Sequence, residues 1–145
     1  MRYTDWLIPR LKNLDQVRYS ITSMEQRIAV LQSQFGAIRS ATTDGTPVQG
    51  GTNTREDALI GNIAERQQLE KNLQFARAEV AEMEAAMEQL QTDERTVLDK
   101  FYVRRQRYSA DTIADELCCD RATVYRIRDR ALVALARCLY GRVEL

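Results

Sequence analysis

Apolar residues recur over the first forty positions at alternating steps of three and four. From Leu7 the series runs Leu7, Arg10, Leu14, Val17, Ile21, Met24, Ile28, Leu31, Phe35 and Ile38, and Arg10 is its one polar member. A helix completes a turn every 3.6 residues, so these steps hold one narrow stripe on one side. Sustained over several heptads, that is a coiled-coil seam rather than the broader stripe of a globular helix. The pattern predicts a helix from about Thr4 to Ser40. Pro9 falls near its start, where a proline is tolerated or breaks off a short first turn carrying Tyr3 and Trp6.

The stretch 41–53, ATTDGTPVQGGTN, interrupts the pattern with Gly45, Pro47, Gly50 and Gly51 among short polar residues. It predicts a loop, with a flexible connector as its default role. A second long helix is expected to start near Thr54, which with Asp57 resembles a capping box. Leu69, Leu73, Ala76, Val80, Met83, Met87 and Leu90 form its seam. Upstream, the same register meets Asn62 and Arg66 while Leu59, Ile60 and Ile63 are apolar, so a phase shift of about one residue is expected. Two comparable helices around a Gly-rich break imply an antiparallel helical hairpin over residues 1–91. Two helices alone give a thin core, Ala78, Ala81, Ala85 and Ala86 offer a small-residue face on the second helix, and Leu11, Tyr19 and Phe75 add apolar area off the seams. Pairing of two hairpins into a homodimer is therefore expected, against a monomeric hairpin closed on its own C-terminal part.

After Gln91 the periods shorten. DERTVLDKFYV places Val97, Leu98, Phe101 and Tyr102 on one face of a short helix, followed by the basic cluster Arg104, Arg105 and Arg107. Two further helical patterns are separated by four residues: one carries Ile113, Ala114 and Leu117, the other Val124, Ile127 and Ala131. That is the spacing of a helix-turn-helix. Ile113, Leu117, Val124 and Ile127 are its expected core, Ala114 suits a close helix crossing, and Asp120 is the expected N-cap, accepting from Ala122 or Thr123. Cys118 stands where such turns usually begin with a left-handed glycine, so the turn is expected either to keep that backbone at a cost of about 1 kcal/mol or to be reshaped. The outer face of the last helix then offers Arg121, Ala122, Thr123, Tyr125 and Arg126, with Arg128 and Arg130 further along. Such a face suits entry into a DNA major groove, and the Arg104, Arg105 and Arg107 cluster suits phosphates. The run ALVALARCLYG carries the apolar pattern to Gly141, an expected C-cap.

Charge refines this picture. The 145 residues hold 21 basic and 21 acidic groups, which by itself argues against a nucleic-acid binder. Locally, however, residues 121–130 hold four Arg against one Asp, and local charge governs a local contact. Histidine is absent, and Cys118, Cys119 and Cys138 have neither disulfide-framework nor zinc-site spacing. They read as reduced thiols of a cytoplasmic protein. No apolar run is long enough to span a bilayer. Without a glycine-rich phosphate loop, a metal-ligand cluster or a nucleophile–base pair, neither an enzyme nor a cofactor is expected.

The stretch from Thr92 to Leu139, with DERTVLDKFYV and SADTIADELCCDRATVYRIRDRALVAL, resembles region 4 of bacterial sigma-70 factors. The whole layout of long helix, loop, long helix and sigma-like helix-turn-helix resembles the RinA-type and ArpU-type phage transcriptional regulators. The resemblance implies an all-α fold, with a hairpin over 1–91 and a DNA-binding domain over 92–145. It further implies activation of phage or prophage late genes at promoter DNA in a bacterial host, with RNA polymerase as a further candidate partner. By motif position, Arg121, Ala122, Tyr125 and Arg126 face bases and Arg128 and Arg130 lie near phosphates. Two rival readings stand beside it: a sigma-like module that docks on polymerase without reading DNA alone, and the small subunit of a phage DNA-packaging terminase.

Overall fold

The computed structural model describes residues 2–41, 51–105 and 109–141 of the chain. Among them the fold is all-α, with no strand. The helices are α1 (Tyr3–Ser40), α2 (Gly51–Glu88), α3 (Thr92–Leu98), α4 (Ser109–Glu116) and α5 (Arg121–Tyr140). A π-helical turn, Asp99–Val103, directly continues α3. No helix among the described residues is long and apolar enough to cross a membrane. The chain divides into two compact units, Met1–Arg18 with Ala78–Leu145, and Tyr19–Arg77.

In the first unit, Leu7, Leu11 and Leu14 of α1 are buried with Met83, Ala86 and Met87 of α2, with Leu90 just past its end, and with Ala131, Leu132, Leu135 and Ala136 of α5. The start of the first seam thus shares one core with the last helix. Arg10, the polar member of that seam, lies at its edge. It donates to both carboxylate oxygens of Glu79 at 2.7 and 2.8 Å and to the Tyr140 hydroxyl at 3.1 Å. These bonds, led by the one to Glu79, raise its pKa further above the ordinary guanidinium value. Pro9 lies inside α1, early enough that the helix runs on past it. The last carbonyls of α2 have no intrahelical donors, and Arg95 of α3 supplies them. It donates to Met87 O at 3.1 Å and Glu88 O at 3.2 Å, and to Leu90 O just beyond the helix at 3.3 Å.

In the second unit, ion pairs and hydrogen bonds link α1 to α2 in opposite order: Glu25 with Arg77, Arg27 with Glu65, Leu31 with Asn62, and the Arg39 carbonyl with Arg55. Two sequence expectations are corrected here. First, α2 begins at Gly51, so Thr54 lies inside the helix and the break is shorter than 41–53; residues 42–50 fall outside the described part. The first N–H groups of a helix make no intrahelical bond, so glycine and short polar residues cost little there. Second, the seam does not shift phase. Asn62 is only 7% exposed, whereas Ile60 is 64% exposed. Asn62 keeps the seam position because its Nδ2 donates to the Leu31 carbonyl at 2.7 Å and its Oδ1 accepts from Arg66 Nε at 2.9 Å. The Arg66 guanidinium in turn lies 4.9 Å from the Phe35 ring centroid. A buried amide satisfied on both sides escapes the penalty that would otherwise expel it.

Candidate nucleic-acid interface

Helices α4 and α5 are joined by four residues, 117–120. The Cys118 N–H donates to Asp115 O at 3.3 Å and the Cys119 N–H to Ala114 O at 3.0 Å. That pair of bonds is a Schellman closure, which requires a left-handed residue at its centre. Cys118 takes that place with φ 53°, so the backbone that glycine would favour is kept. Asp120 then adopts an extended conformation and its Oδ1 accepts from the Thr123 N–H at 2.8 Å and from the Thr123 hydroxyl. These bonds, the hydroxyl's first, hold the Asp120 carboxyl below its ordinary pKa. At the far end Gly141, with φ 73°, caps α5 and its N–H donates to Arg137 O at 2.9 Å.

Beneath this surface Val97 of α3, Ile113 and Ala114 of α4, and Val124 and Ile127 of α5 are buried together, with Leu117 and Phe101 packed at the margin. Burial of Val124 and Ile127 turns the opposite side of α5 outward. Arg121, Ala122 and Arg126 are exposed there, while Thr123, Tyr125 and Arg128 are half-buried.

Of the residues singled out in the sequence, the structure brings three into one stack. The Arg121 guanidinium lies 5.9 Å from the Tyr125 ring centroid and its Nη2 donates to the Tyr125 hydroxyl at 3.4 Å. That bond, followed by the nearby charge of Asp111, raises the Arg121 pKa. The Arg128 guanidinium lies 5.0 Å from the Tyr125 centroid and pairs with Asp129 at 2.9 Å. Arg130 turns to α3 instead, where it meets Asp93 at 2.8 Å and the buried carboxylate of Glu94 at 3.8 Å. Arg104 is exposed, with Asp99 at 3.7 Å, and Arg105 is exposed. Arg107 lies outside the described residues.

The sequence reading missed two features. Local spacing puts Phe101 on the apolar face of a short helix, yet its ring centroid sits 5.9 Å from that of Tyr125 and 5.3 Å from the Arg128 guanidinium. Nothing in its local spacing pairs it with a residue of α5. The second omission is the set of carboxylates, Asp93, Asp99, Asp111 and Asp129, that lie beside the arginines of this surface. Asp129 was legible as the one acid within 121–130; the others come from separate elements.

In comparison with known families, the model of a family described as a protein of unknown function, DUF1492, matches residues 37–136. No curated protein and no solved structure matches the chain.

Proposed function

The chain belongs to the DUF1492 family, and within it we propose that this protein is a sequence-specific double-stranded DNA-binding regulator of transcription, acting at promoters of phage or prophage genes. In this reading residues 92–145 form a sigma-70 region 4-like helix-turn-helix domain, as in the RinA-type and ArpU-type regulators, and α1 with α2 forms an antiparallel hairpin. The observation that carries the reading is α5 itself. It is capped by Asp120, locked underneath by Val124 and Ile127, and offers Arg121, Ala122, Tyr125 and Arg126 from its outward N-terminal turns. A helix so anchored presents donors and an aromatic ring to base edges, where a bidentate Arg–guanine pair supplies about 1 to 3 kcal/mol of discrimination.

The unit 19–77 supports a homodimer. Among its described residues, Ile28, Leu31 and Leu73 are the only buried apolar side chains, none of them completely, while Tyr19, Val30, Ile60, Ile63 and Phe75 are exposed. A two-helix layer with more large apolar side chains outside than inside gains by pairing with a second copy. Dimeric regulators read two-fold repeats.

A second reading has its own observation. Arg104, Arg121, Arg128 and Arg130 each have a carboxylate within 4 Å, which lowers the pull of this surface on phosphates. That favours a sigma-like module that docks on RNA polymerase and reads DNA only there. The test is selection of fragments from random and host-genome DNA by the purified full chain, with and without core RNA polymerase, beside Tyr125→Ala. One motif enriched by the chain alone and lost in the variant supports the regulator. Enrichment only with polymerase supports the docking module, and enrichment in neither condition overturns both.

A further inference from the structure

The surroundings of Arg128 depart from those of a phosphate contact. Its guanidinium is 5.0 Å from the Tyr125 centroid and 5.3 Å from the Phe101 centroid, and those two rings meet edge to face at 5.9 Å and 70°. Its side chain is only 27% exposed, and Asp129 accepts from its Nε at 3.0 Å. A cation held over two rings and paired with a carboxylate has little left to offer a phosphate. It does have a consequence for Tyr125, whose ring is bounded by Arg128, by Phe101 and, through hydroxyl and ring, by Arg121.

We infer that Phe101 and Arg128 are positioning residues that hold Tyr125 in one orientation at the DNA surface, so that Phe101, from a different element, determines sequence preference. The inference rests on the DNA-binding reading given above. A tyrosine that is free to swing loses the entropy of ordering each time it binds, and a ring already fixed does not. Fixing also demands a direction: a base contact discriminates only when the reading group arrives at one angle, whereas non-specific attraction to the backbone tolerates many.

The backbone explains how Phe101 reaches this place. The Arg104 N–H donates to Asp99 O at 2.7 Å, the five-residue spacing of a π-helical turn. Wider turns of this kind re-aim the side chains that follow an α-helix and are common at functional sites. Lys100, next to Phe101, is ion-paired with Glu116 of α4, which ties the turn to the helix preceding α5. Phe101 is thus held from its own element and packs at the margin of the core formed by Val97, Ile113, Ala114, Val124 and Ile127.

The experiment uses the full chain and two duplexes of equal length and composition, one carrying the sequence that the wild-type chain enriches from random DNA and one with that sequence scrambled. Phe101→Leu keeps apolar volume at the margin of the core; its melting curve checks that it folds. It lowers the ratio of specific to scrambled affinity by about tenfold, with scrambled affinity held within about twofold, because only orientation is lost. Phe101→Tyr, which keeps the ring, retains the wild-type ratio. Arg128→Gln lowers the ratio similarly and leaves the salt dependence unchanged, whereas loss of a phosphate contact would flatten the slope by about one. A folded Phe101→Leu with an unchanged ratio, or with equal loss on both duplexes, overturns the positioning role and leaves DNA reading intact. Arg128→Gln with a flattened slope and an unchanged ratio does the same. A wild-type chain that enriches no sequence overturns the positioning role together with the reading beneath it.

Discussion

Asn62 and Leu31 are joined across two helices by a side-chain amide that donates to a main-chain carbonyl at 2.7 Å, in a largely apolar seam. A polar residue at a seam position pins register, because any axial slip leaves the amide buried without its partner. Asn62→Asp replaces the donor with an acceptor facing another acceptor. It is expected to cost about 2 kcal/mol at neutral pH, with partial recovery at low pH once the acid is protonated and donates again. Thermal melts at two pH values check this; a variant as stable as wild type at pH 7 removes the role given to the bond.

The turn between α4 and α5 carries a second prediction. Cys118 holds φ 53° at the centre of a Schellman closure, a conformation in which a Cβ is strained. Cys118→Gly should raise stability by about 0.5 to 1 kcal/mol. Cys118→Val, branched at Cβ, should lower it by more than the glycine gains. Denaturant unfolding monitored by circular dichroism orders the three proteins, and glycine below cysteine would contradict the strain.

Asp120 makes the N-terminus of α5 sensitive to acid. Its carboxyl is held below the ordinary value of 3.8 by the hydroxyl and N–H of Thr123. A depressed carboxylate contributes stability that is fully present above its unfolded pKa and is lost as pH falls through the lower, folded value. The contribution should therefore be intact above about pH 4 to 5 and disappear below the ordinary carboxylate range. Asp120→Ala should melt below wild type at pH 7, with the gap closing as pH falls toward 2. A gap independent of pH would show that the capping bond is not what the carboxylate supplies.

The exposed apolar side chains of unit 19–77 bear on assembly. Phe75→Glu combined with Ile60→Glu, at positions 66% and 64% exposed, should convert a particle of twice the chain mass to one of single mass in sedimentation equilibrium, with helicity retained. Wild-type protein that sediments as a single chain at every concentration would rule out the homodimer.

Arg130 separates stability from DNA affinity. Its pairs with Asp93 and Glu94 involve a side chain 55% exposed, so Arg130→Ala should cost less than about 1 kcal/mol of stability. If Arg130 leaves these carboxylates for a phosphate, the same variant should flatten the salt dependence of DNA binding by about one unit of slope. An unchanged slope would place Arg130 in the scaffold alone.

How much of this was legible in the chain depended on the range of the interactions involved. The seams were, because a helical stripe is a local, periodic property: from Leu7 to Ile38, and from Leu69 to Leu90, every position read as inward is buried or half-buried. The Asp120 cap and the stop at Gly141 were equally readable, since each rests on bonds spanning only a few residues, whereas the sequence left open whether Cys118 keeps the left-handed backbone that the structure shows. The tertiary structure alone decided the rest. Asn62 stays on the seam because a carbonyl thirty-one residues away accepts its proton, and hydropathy ranks Ile60 and Ile63 above it without knowledge of that partner. Leu7, Leu11 and Leu14 share a core with Ala131, Leu132 and Leu135, a contact between the two ends of the chain that no window of sequence contains. The stack of Phe101, Tyr125 and Arg128 belongs to the same class. Local backbone preference and periodicity are written in neighbouring residues, whereas the partner of a buried amide, a ring or a guanidinium is set by which distant elements the packed fold brings within a few ångströms.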